Sequence, residues 1–227
     1  GVFPTDDGTG KIENRIKIVR NESIGIKYWD TSGSNNWARP ATLNTELNTT
    51  YLNSLDSTSQ SMIGQAKYYL GGITPTSNNG WADTSLQFYS YERKTKNTTS
   101  NEFYYGTYPN SWVGKLSLMY VSDYGYASSN CENKKIYDSN SSSNDISACN
   151  TTNWLYNVIS KSSYGIWTLD QGSHTGSHVY YVDTKGFINL LAVGTEYVES
   201  YPVLYLKSDI QITGGSGTSS SPYTLGL

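Results

Sequence analysis

The two histidines, His174 and His178, come closest to the spacing of a metal site, four apart in the segment HTGSH. On a helix, that spacing would place both imidazoles on one face, as zinc ligands require. Gly176 and the Ser and Thr neighbours predict a loop instead, and the Glu of the helical metalloprotease motif is missing. We therefore interpret both as loop histidines, keep His174 as a ligand-contact candidate, and predict no bound metal.

Asp170 and Gln171 follow a predicted strand that contains Trp167. A carboxylate and an amide at a strand end can bind sugar hydroxyls, or calcium through oxygen ligands. The apolar face of a sugar would then stack on Trp167 or on Trp81. The alternative interpretation is a turn beside a core tryptophan.

Asp123 and Tyr124 lie in the segment SDYGYA, directly after an apolar run. A loop at a strand end often carries function, and this makes Tyr124 a ligand-binding candidate. The alternative is a tight turn in which Asp123 caps its own backbone.

Cys131 and Cys149 are the only two cysteines, and a polar segment of 17 residues separates them. A minimal, even count in a chain with a secreted composition predicts one disulfide between them. Two buried thiols remain the alternative, because a zinc site would need further ligands at the usual spacing.

Motifs of other catalytic classes are missing from the sequence. There is no G-x-S-x-G nucleophile elbow, and the Gly-rich segment 214–217 precedes no predicted helix that could hold a phosphate. No two acidic positions can be identified as neighbours for glycosidase chemistry. We predict no catalytic residues and a protein that is not an enzyme.

Hydrophobic periodicity predicts the elements that position these candidates. Alternating apolar residues in 11–29 predict a β-hairpin with its turn at 20–23. Spacings of three and four predict helices over about 42–54 and from about 57 to 69. A short helical turn is predicted at 153–159. Strands are predicted at 86–91, 113–121, 165–169, 179–183, 186–191 and 202–207.

We expect a flexible start at 1–10, one globular domain over 11–213 and a Gly/Ser-rich tail at 214–227. The fold class is α+β, with two helices near the N-terminal side packed on short antiparallel strands joined by long loops. The pattern does not alternate strand and helix, which disfavours a parallel sheet.

Composition limits the function further. The 227 residues include 21 Tyr and 6 Trp, and only 15% are charged. The net charge of −3 disfavours nucleic-acid binding, because that binding depends on neutralising phosphates. The sequence contains no run of about 18 apolar residues, which is the length that a membrane-spanning helix needs. Tyr, Ser, Gly and Asn are also the residues typical of binding loops.

Several segments occur together in one order: RIKIVRNESIG, WVGKLSLMYVSDYGYA, IWTLD and PVLYLKSDIQITGGSGTSSSPYTL. They resemble a domain family of secreted and surface proteins, some of them pilin-like, from Gram-positive gut bacteria. That resemblance covers nearly the whole chain and implies a fold of the C-type lectin and formylglycine-generating-enzyme type. It implies no activity and no catalytic residues. The calcium-binding tripeptides of sugar-binding C-type lectins do not occur, so we expect no cofactor, with calcium as the weaker alternative.

These observations predict an extracellular or cell-surface binding or adhesion domain without catalysis. Its ligand would be a glycan or a protein on another surface. The alternative is a structural subunit or exposed head of a pilus or surface fibre, in which Tyr and Trp pack subunit on subunit.

Overall fold

A computed structural model describes residues 1–35, 37, 39–70, 84–93, 111–129, 131–137, 144–172 and 176–227. Short antiparallel strands and short helices alternate irregularly along these ranges. The strands are β1 (Val2–Asp6), β2 (Ile12–Val19), β3 (Ile63–Gly64), β4 (Ala66–Tyr69), β5 (Ser111–Gly114), β6 (Leu116–Ser117), β7 (Ile166–Gln171), β8 (His178–Val182), β9 (Ile188–Ala192), β10 (Val203–Leu206), β11 (Gln211–Gly214) and β12 (Thr224–Gly226). The helices are α1 (Thr42–Glu46), which continues through a π-helical turn (Leu47–Tyr51) into α2 (Leu52–Ser54), then α3 (Ser57–Met62), α4 (Ser85–Glu92), α5 (Val121–Tyr126), α6 (Asn144–Asn150) and α7 (Tyr156–Ile159).

The largest sheet joins the two ends of the chain. Its order is β1-β2-β10-β3, and β6 also pairs with β10. Val203 of β10 lies opposite Val19 of β2, which brings a strand near the C-terminus against one near the N-terminus. A second antiparallel sheet has the order β7-β8-β9, and β4-β5 and β11-β12 form two-stranded ribbons.

Two packed clusters form the interior, and aromatic side chains are prominent in both. The first contains Trp29, Trp37, Tyr68 and Tyr205, and the second is built around Phe88 and other residues that cover β8. Ring pairs such as Trp29 with Trp37 lie edge to face, with centroids 5.8 Å apart. A chain with few aliphatic residues therefore builds much of its core from Tyr and Trp.

The coarse fold prediction is confirmed: the chain combines α-helices with antiparallel sheets. The helix predicted over 42–54 is present from Thr42 to Ser54 in three consecutive pieces. The strands predicted near 166, 179, 188 and 203 are β7 to β10, and the turn at 153–159 ends in α7.

The helix predicted from residue 57 to 69 is wrong beyond Met62. Asp56 caps α3 by accepting a hydrogen bond from the Ser59 amide, but the helix ends at Met62. The chain then enters β3 and β4, and in β4 the buried Ala66 and Tyr68 alternate with the half-buried Lys67 and Tyr69. Because this segment satisfies both a period of two and a period near four, pairing with β10 and β5 decides the outcome.

The strand predicted over 86–91 is also wrong, because α4 occupies this segment. Thr84 and Gln87 form a reciprocal capping box at its start. Ser85, Phe88 and Glu92 are buried, a spacing of three and four that belongs to a helix. The apparent alternation included Leu86 and Tyr89, which are exposed.

The strand predicted over 113–121 divides into three parts. Residues 111–114 pair with β4, Leu116–Ser117 pair with β10, and α5 begins at Val121. The run from Leu116 to Val121 is mainly apolar because this part of it is buried, whereas Val113 of β5 is exposed.

Both terminal segments form strands. The expected flexible start contains β1, whose partner is β2, so the hairpin turn lies at residues 7–11 and not at 20–23. The expected tail contributes β12, which pairs with β11. Gly215 adopts φ +82° in the turn, a left-handed conformation that favours glycine.

The predicted disulfide between Cys131 and Cys149 is confirmed, with Cα atoms 5.7 Å apart. Both cysteines are buried, and the bridge attaches α6 to the segment that follows α5. Within the described ranges, no helix combines the length and the apolar character needed to cross a bilayer.

Candidate binding site

The structure places three of the predicted ligand contacts inside the protein. Trp167, Asp170 and Gln171 all belong to β7, and each is buried. The Trp167 indole N–H donates to the Lys27 carbonyl at 2.8 Å, which locks the ring in the core. Nothing in this placement supports direct contact between these side chains and a ligand in solvent.

The remaining predicted contacts are Tyr124, Trp81 and His174. Tyr124 is buried in α5, and its hydroxyl donates to Asn150 Oδ1 at 2.6 Å. Trp81 and His174 lie outside the described residues.

Buried carboxyl groups hold the first turn of α5. The Val121 amide donates to Asp170 Oδ2 at 2.8 Å, and the Ser122 amide donates to Glu92 Oε1 at 2.9 Å. Asp123 completes the set by accepting from the Tyr120 amide at 2.8 Å. These bonds satisfy amides that have no partner within the helix, so the carboxyl groups have a structural role here.

Glu92 and Asp170 are 1% and 4% exposed, and their environments favour the neutral form of a carboxyl group. Burial raises the pKa of Asp170 well above its ordinary range, and the neighbouring Glu92 raises it further. Burial also raises the pKa of Glu92, although Arg93 opposes that shift. Burial and the nearby Glu92 carboxyl therefore both favour the protonated form of Asp170.

Lys17 of β2 is held in a cage of aromatic rings. Its ammonium lies 4.9 Å from the Tyr120 ring centroid, 5.4 Å from that of Tyr205 and 5.6 Å from that of Phe3. It also donates to Asp123 Oδ2. Burial alone would lower the pKa of Lys17, but Asp123 and Tyr205 raise it above its ordinary value. Lys17 and Asp123 therefore form an ion pair whose net charge is zero.

A pocket of about 150 Å³ opens beside this ion pair, and we call it the Trp154 pocket. Lys17 and Asp123 form one side of it. Trp154, which is 54% exposed, and Tyr126, which is 40% exposed, also line it and form its rim. The Gly1 amino group, which donates to the Lys17 carbonyl at 3.3 Å, also lines it. The rest of its wall is apolar and comes from β1, β2, β10 and the segments flanking α5 and α7: Phe3, Val19, Met119, Ala127, Leu155 and Val203.

Aromatic surface continues from the rim of the pocket toward α4. Tyr89 meets Tyr126 edge to face, with ring centroids 6.1 Å apart. The Arg93 guanidinium lies 3.5 Å from the Tyr89 ring centroid and also pairs with buried Glu92. The positive charge on this surface is thus already matched by a carboxyl group of the protein.

Sequence reasoning selected the wrong tyrosine of the SDYGYA segment for a solvent-facing site. Residues two apart on a helix point about 200° away from each other. Tyr124 therefore enters the core while Tyr126 faces the pocket and solvent. Trp154 gave no periodic signal, because it lies in the turn before α7. Only its polar neighbours Thr152 and Asn153 could have suggested exposure.

Among the described residues, no group of three or more His, Cys, Asp or Glu side chains converges as metal ligands would. The interpretation of His178 as a loop histidine is wrong, because it is the first residue of β8; its ring contacts the Ser177 hydroxyl at 3.1 Å. Comparison with known proteins finds no matching family model, no similar curated protein and no similar solved structure.

Proposed function

We propose that this chain is an extracellular binding or adhesion domain of a bacterial surface, without catalysis, that contacts its ligand at the Trp154 pocket. The supporting observation is that Trp154 and Tyr126 are exposed and line a pocket whose wall is mainly apolar apart from the Lys17–Asp123 ion pair. Exposed aromatic residues around a pocket are typical of binding surfaces, since they bury a large area with little loss of conformational freedom. The disulfide is in keeping with an oxidising, extracellular compartment.

The structural roles of the other candidates support a binding domain over an enzyme. The carboxyl groups with raised pKa values, Glu92 and Asp170, are buried and hold backbone amides. The proposal includes a C-type-lectin-like arrangement of the α+β fold, with a glycan or a protein as ligand. In that arrangement the ligand would lie against α5 and α7 and not at the end of β7.

The first test is a binding screen of the purified chain against a glycan array, with and without calcium, and against a displayed library of random peptides. W154A should lose most of the signal of any specific hit, because it removes the rim. Tyr164→Ala is the matched control, since Tyr164 is comparably exposed and does not line the pocket. Hits that W154A leaves unchanged would refute this site.

A structural subunit of a surface fibre is the second candidate, and one observation favours it. Val2 of β1 and Ile16 of β2 lie opposite each other and are both exposed. β1 has no partner on its outer edge within the described part of the chain. An apolar, unpaired edge favours association between copies. Sedimentation velocity over a wide concentration range would show large assemblies for a fibre subunit and a monomer for a simple binding domain.

A further inference from the structure

We infer that the side chains of Lys17 and Asp123 join covalently, through an amide bond between the lysine Nζ and the aspartate Cγ. The bond cross-links β2 to α5 and releases one water molecule. Its formation does not depend on which ligand the domain binds. Three features of the site favour it: the contact between the two groups, the fixed positions of both side chains and their isolation from bulk water.

The amine and the carboxyl group are already in contact. Lys17 Nζ donates a hydrogen bond to Asp123 Oδ2, an atom bonded directly to the carbon that an amine attacks. Holding two groups together in this way makes their reaction intramolecular, with effective concentrations of about 10⁵–10⁸ M in well-oriented cases. The reaction has to occur only once in the life of each molecule, so a slow rate is sufficient.

Neighbouring groups hold both side chains in place. The Tyr120 amide donates to Asp123 Oδ2 at 2.8 Å, and the Tyr205 hydroxyl is hydrogen-bonded to the Lys17 side chain. The ring centroids of Tyr120, Tyr205 and Phe3 lie 4.9, 5.4 and 5.6 Å from Nζ. These contacts keep the amine beside the carboxyl group, and such pre-organisation lowers the barrier to the reaction.

Little bulk water reaches the two side chains, which are 7% and 12% exposed. Keeping two charges out of water costs free energy, whereas an amide is neutral. The bond therefore replaces a buried ion pair by a group whose burial costs less, and its carbonyl oxygen can keep the Tyr120 amide as donor. The Trp154 pocket, which Lys17 and Asp123 both line, gives the released water a path to solvent.

Other charged groups lie near this pair, and each has a partner of its own. The Gly1 amino group donates to the Lys17 carbonyl at 3.3 Å. Arg93 pairs with Glu92 at 2.9 Å, and Asp170 accepts a hydrogen bond from a backbone amide at 2.8 Å. The Lys17 ammonium is thus the cation that directly contacts the Asp123 carboxylate.

The reaction balances without an oxidant or a cofactor. Burial disfavours the charge on the Lys17 ammonium, but Asp123 and Tyr205 hold its pKa above the ordinary value, so the ion pair is the starting state. A proton passes along the hydrogen bond to the carboxylate, which leaves a neutral amine and a carboxylic acid. The nitrogen then attacks Cγ and the C–N bond forms. One C–O bond breaks, and the oxygen leaves as water with the two protons that the nitrogen has lost.

The test is the mass of the intact wild-type chain, measured after unfolding and after reduction of the disulfide. We expect a mass lower than that of the sequence by one water molecule. Fragmentation of a protease digest should show the peptides of Lys17 and Asp123 joined. A wild-type mass equal to that of the sequence would overturn the cross-link. A lost water that fragmentation assigns elsewhere, such as to an imide at Asp7 and Gly8, would overturn it too.

Two substitutions separate this amine from other lysines. Lys17→Arg keeps a positive charge but offers a guanidinium that stays protonated, so the chain should have its full mass. Lys11→Arg is the matched control, since Lys11 pairs with Glu13 in solvent and its replacement should keep the loss of water. Loss of water in folded Lys17→Arg would refute the cross-link. If Lys17→Arg does not fold, the joined or separate wild-type peptides decide the question. Neither result depends on ligand binding at the Trp154 pocket.

Discussion

At the scale of single residues, protonation decides how the interior holds together. Asp170 accepts a hydrogen bond from the Val121 amide and lies near Glu92. The pKa of Asp170 is well above its ordinary range. In the unfolded chain, an aspartate loses its proton near pH 4. Between that pH and the raised pKa, the folded state binds more protons than the unfolded state. The contribution of Asp170 to stability therefore falls as pH rises through this window.

The variant D170N should remove this decrease in stability with rising pH. The Asn side chain keeps an oxygen that can accept the hydrogen bond from the Val121 amide, and its NH₂ group can donate to Glu92. It cannot ionise. We expect a higher free energy of unfolding at pH 7 than in the wild type, and a flatter dependence on pH above 4. Urea unfolding at a series of pH values measures both. The exposed Asp209→Asn serves as control, and a D170N curve that parallels the wild type would show that Asp170 carries no extra proton.

Lys17 is the second residue whose charge matters, because its partner Asp123 is also largely buried, with side chains 7% and 12% exposed. Removing one member of a buried pair leaves the other charge without compensation, at a cost of about 3–5 kcal/mol. We expect that loss for Lys17→Met in chemical unfolding. Lys11→Met is the matched control, since Lys11 pairs with Glu13 in solvent and its loss should change little. Equal effects of the two variants would contradict the caged ion pair.

At the scale of elements, the sequence predicted those whose signal is local. The helix from Thr42 has apolar residues at helical spacing. The side chains of β8 alternate between the two hydrophobic clusters, with Val179 and Tyr181 in the first and Tyr180 and Val182 in the second. The prediction of secondary structure failed where the spacing of apolar residues fitted a strand and a helix equally well, as at 57–69. In α4, the Thr84 capping box was a local signal that the aromatic alternation concealed.

The candidate site could not be predicted for a related reason. Phe3, Lys17, Asp123 and Trp154 come from four separate segments. The pairing of β2 with β1 and β10 and the burial of α5 bring these segments together. A sequence shows the types of these residues but not their convergence. It also does not show which of Tyr124 and Tyr126 faces inward, because that depends on the helical phase of α5.

The disulfide is the element-scale feature with the clearest energetic consequence. Cys131 and Cys149 are 18 positions apart, and closing a loop of that length stabilises the folded state by about 3 kcal/mol in the chain-entropy description. Reduction, or the double variant C131S/C149S, should lower the free energy of unfolding by that order and lower Tm. Thermal unfolding with and without reductant measures this. An unchanged Tm would show that the bridge does not form in solution.

At the scale of the whole molecule, segments near the two ends of the chain meet in one sheet, and both hydrophobic clusters include residues of its strand β10. The Trp154 pocket lies where β1, β2 and β10 meet α5 and α7. A rigid scaffold that presents exposed aromatic residues beside a preformed pocket is suited to recognition. In this arrangement the ligand would lie against α5 and the segment before α7.

The most direct measurement is an NMR map of chemical-shift changes when a ligand from the binding screen is added to the wild-type chain. We expect the changes to centre on Trp154, Tyr126, Ala127 and Met119. Changes centred instead on Gln171 and Gly172, at the end of β7, would contradict this expectation and favour the site first predicted from the sequence.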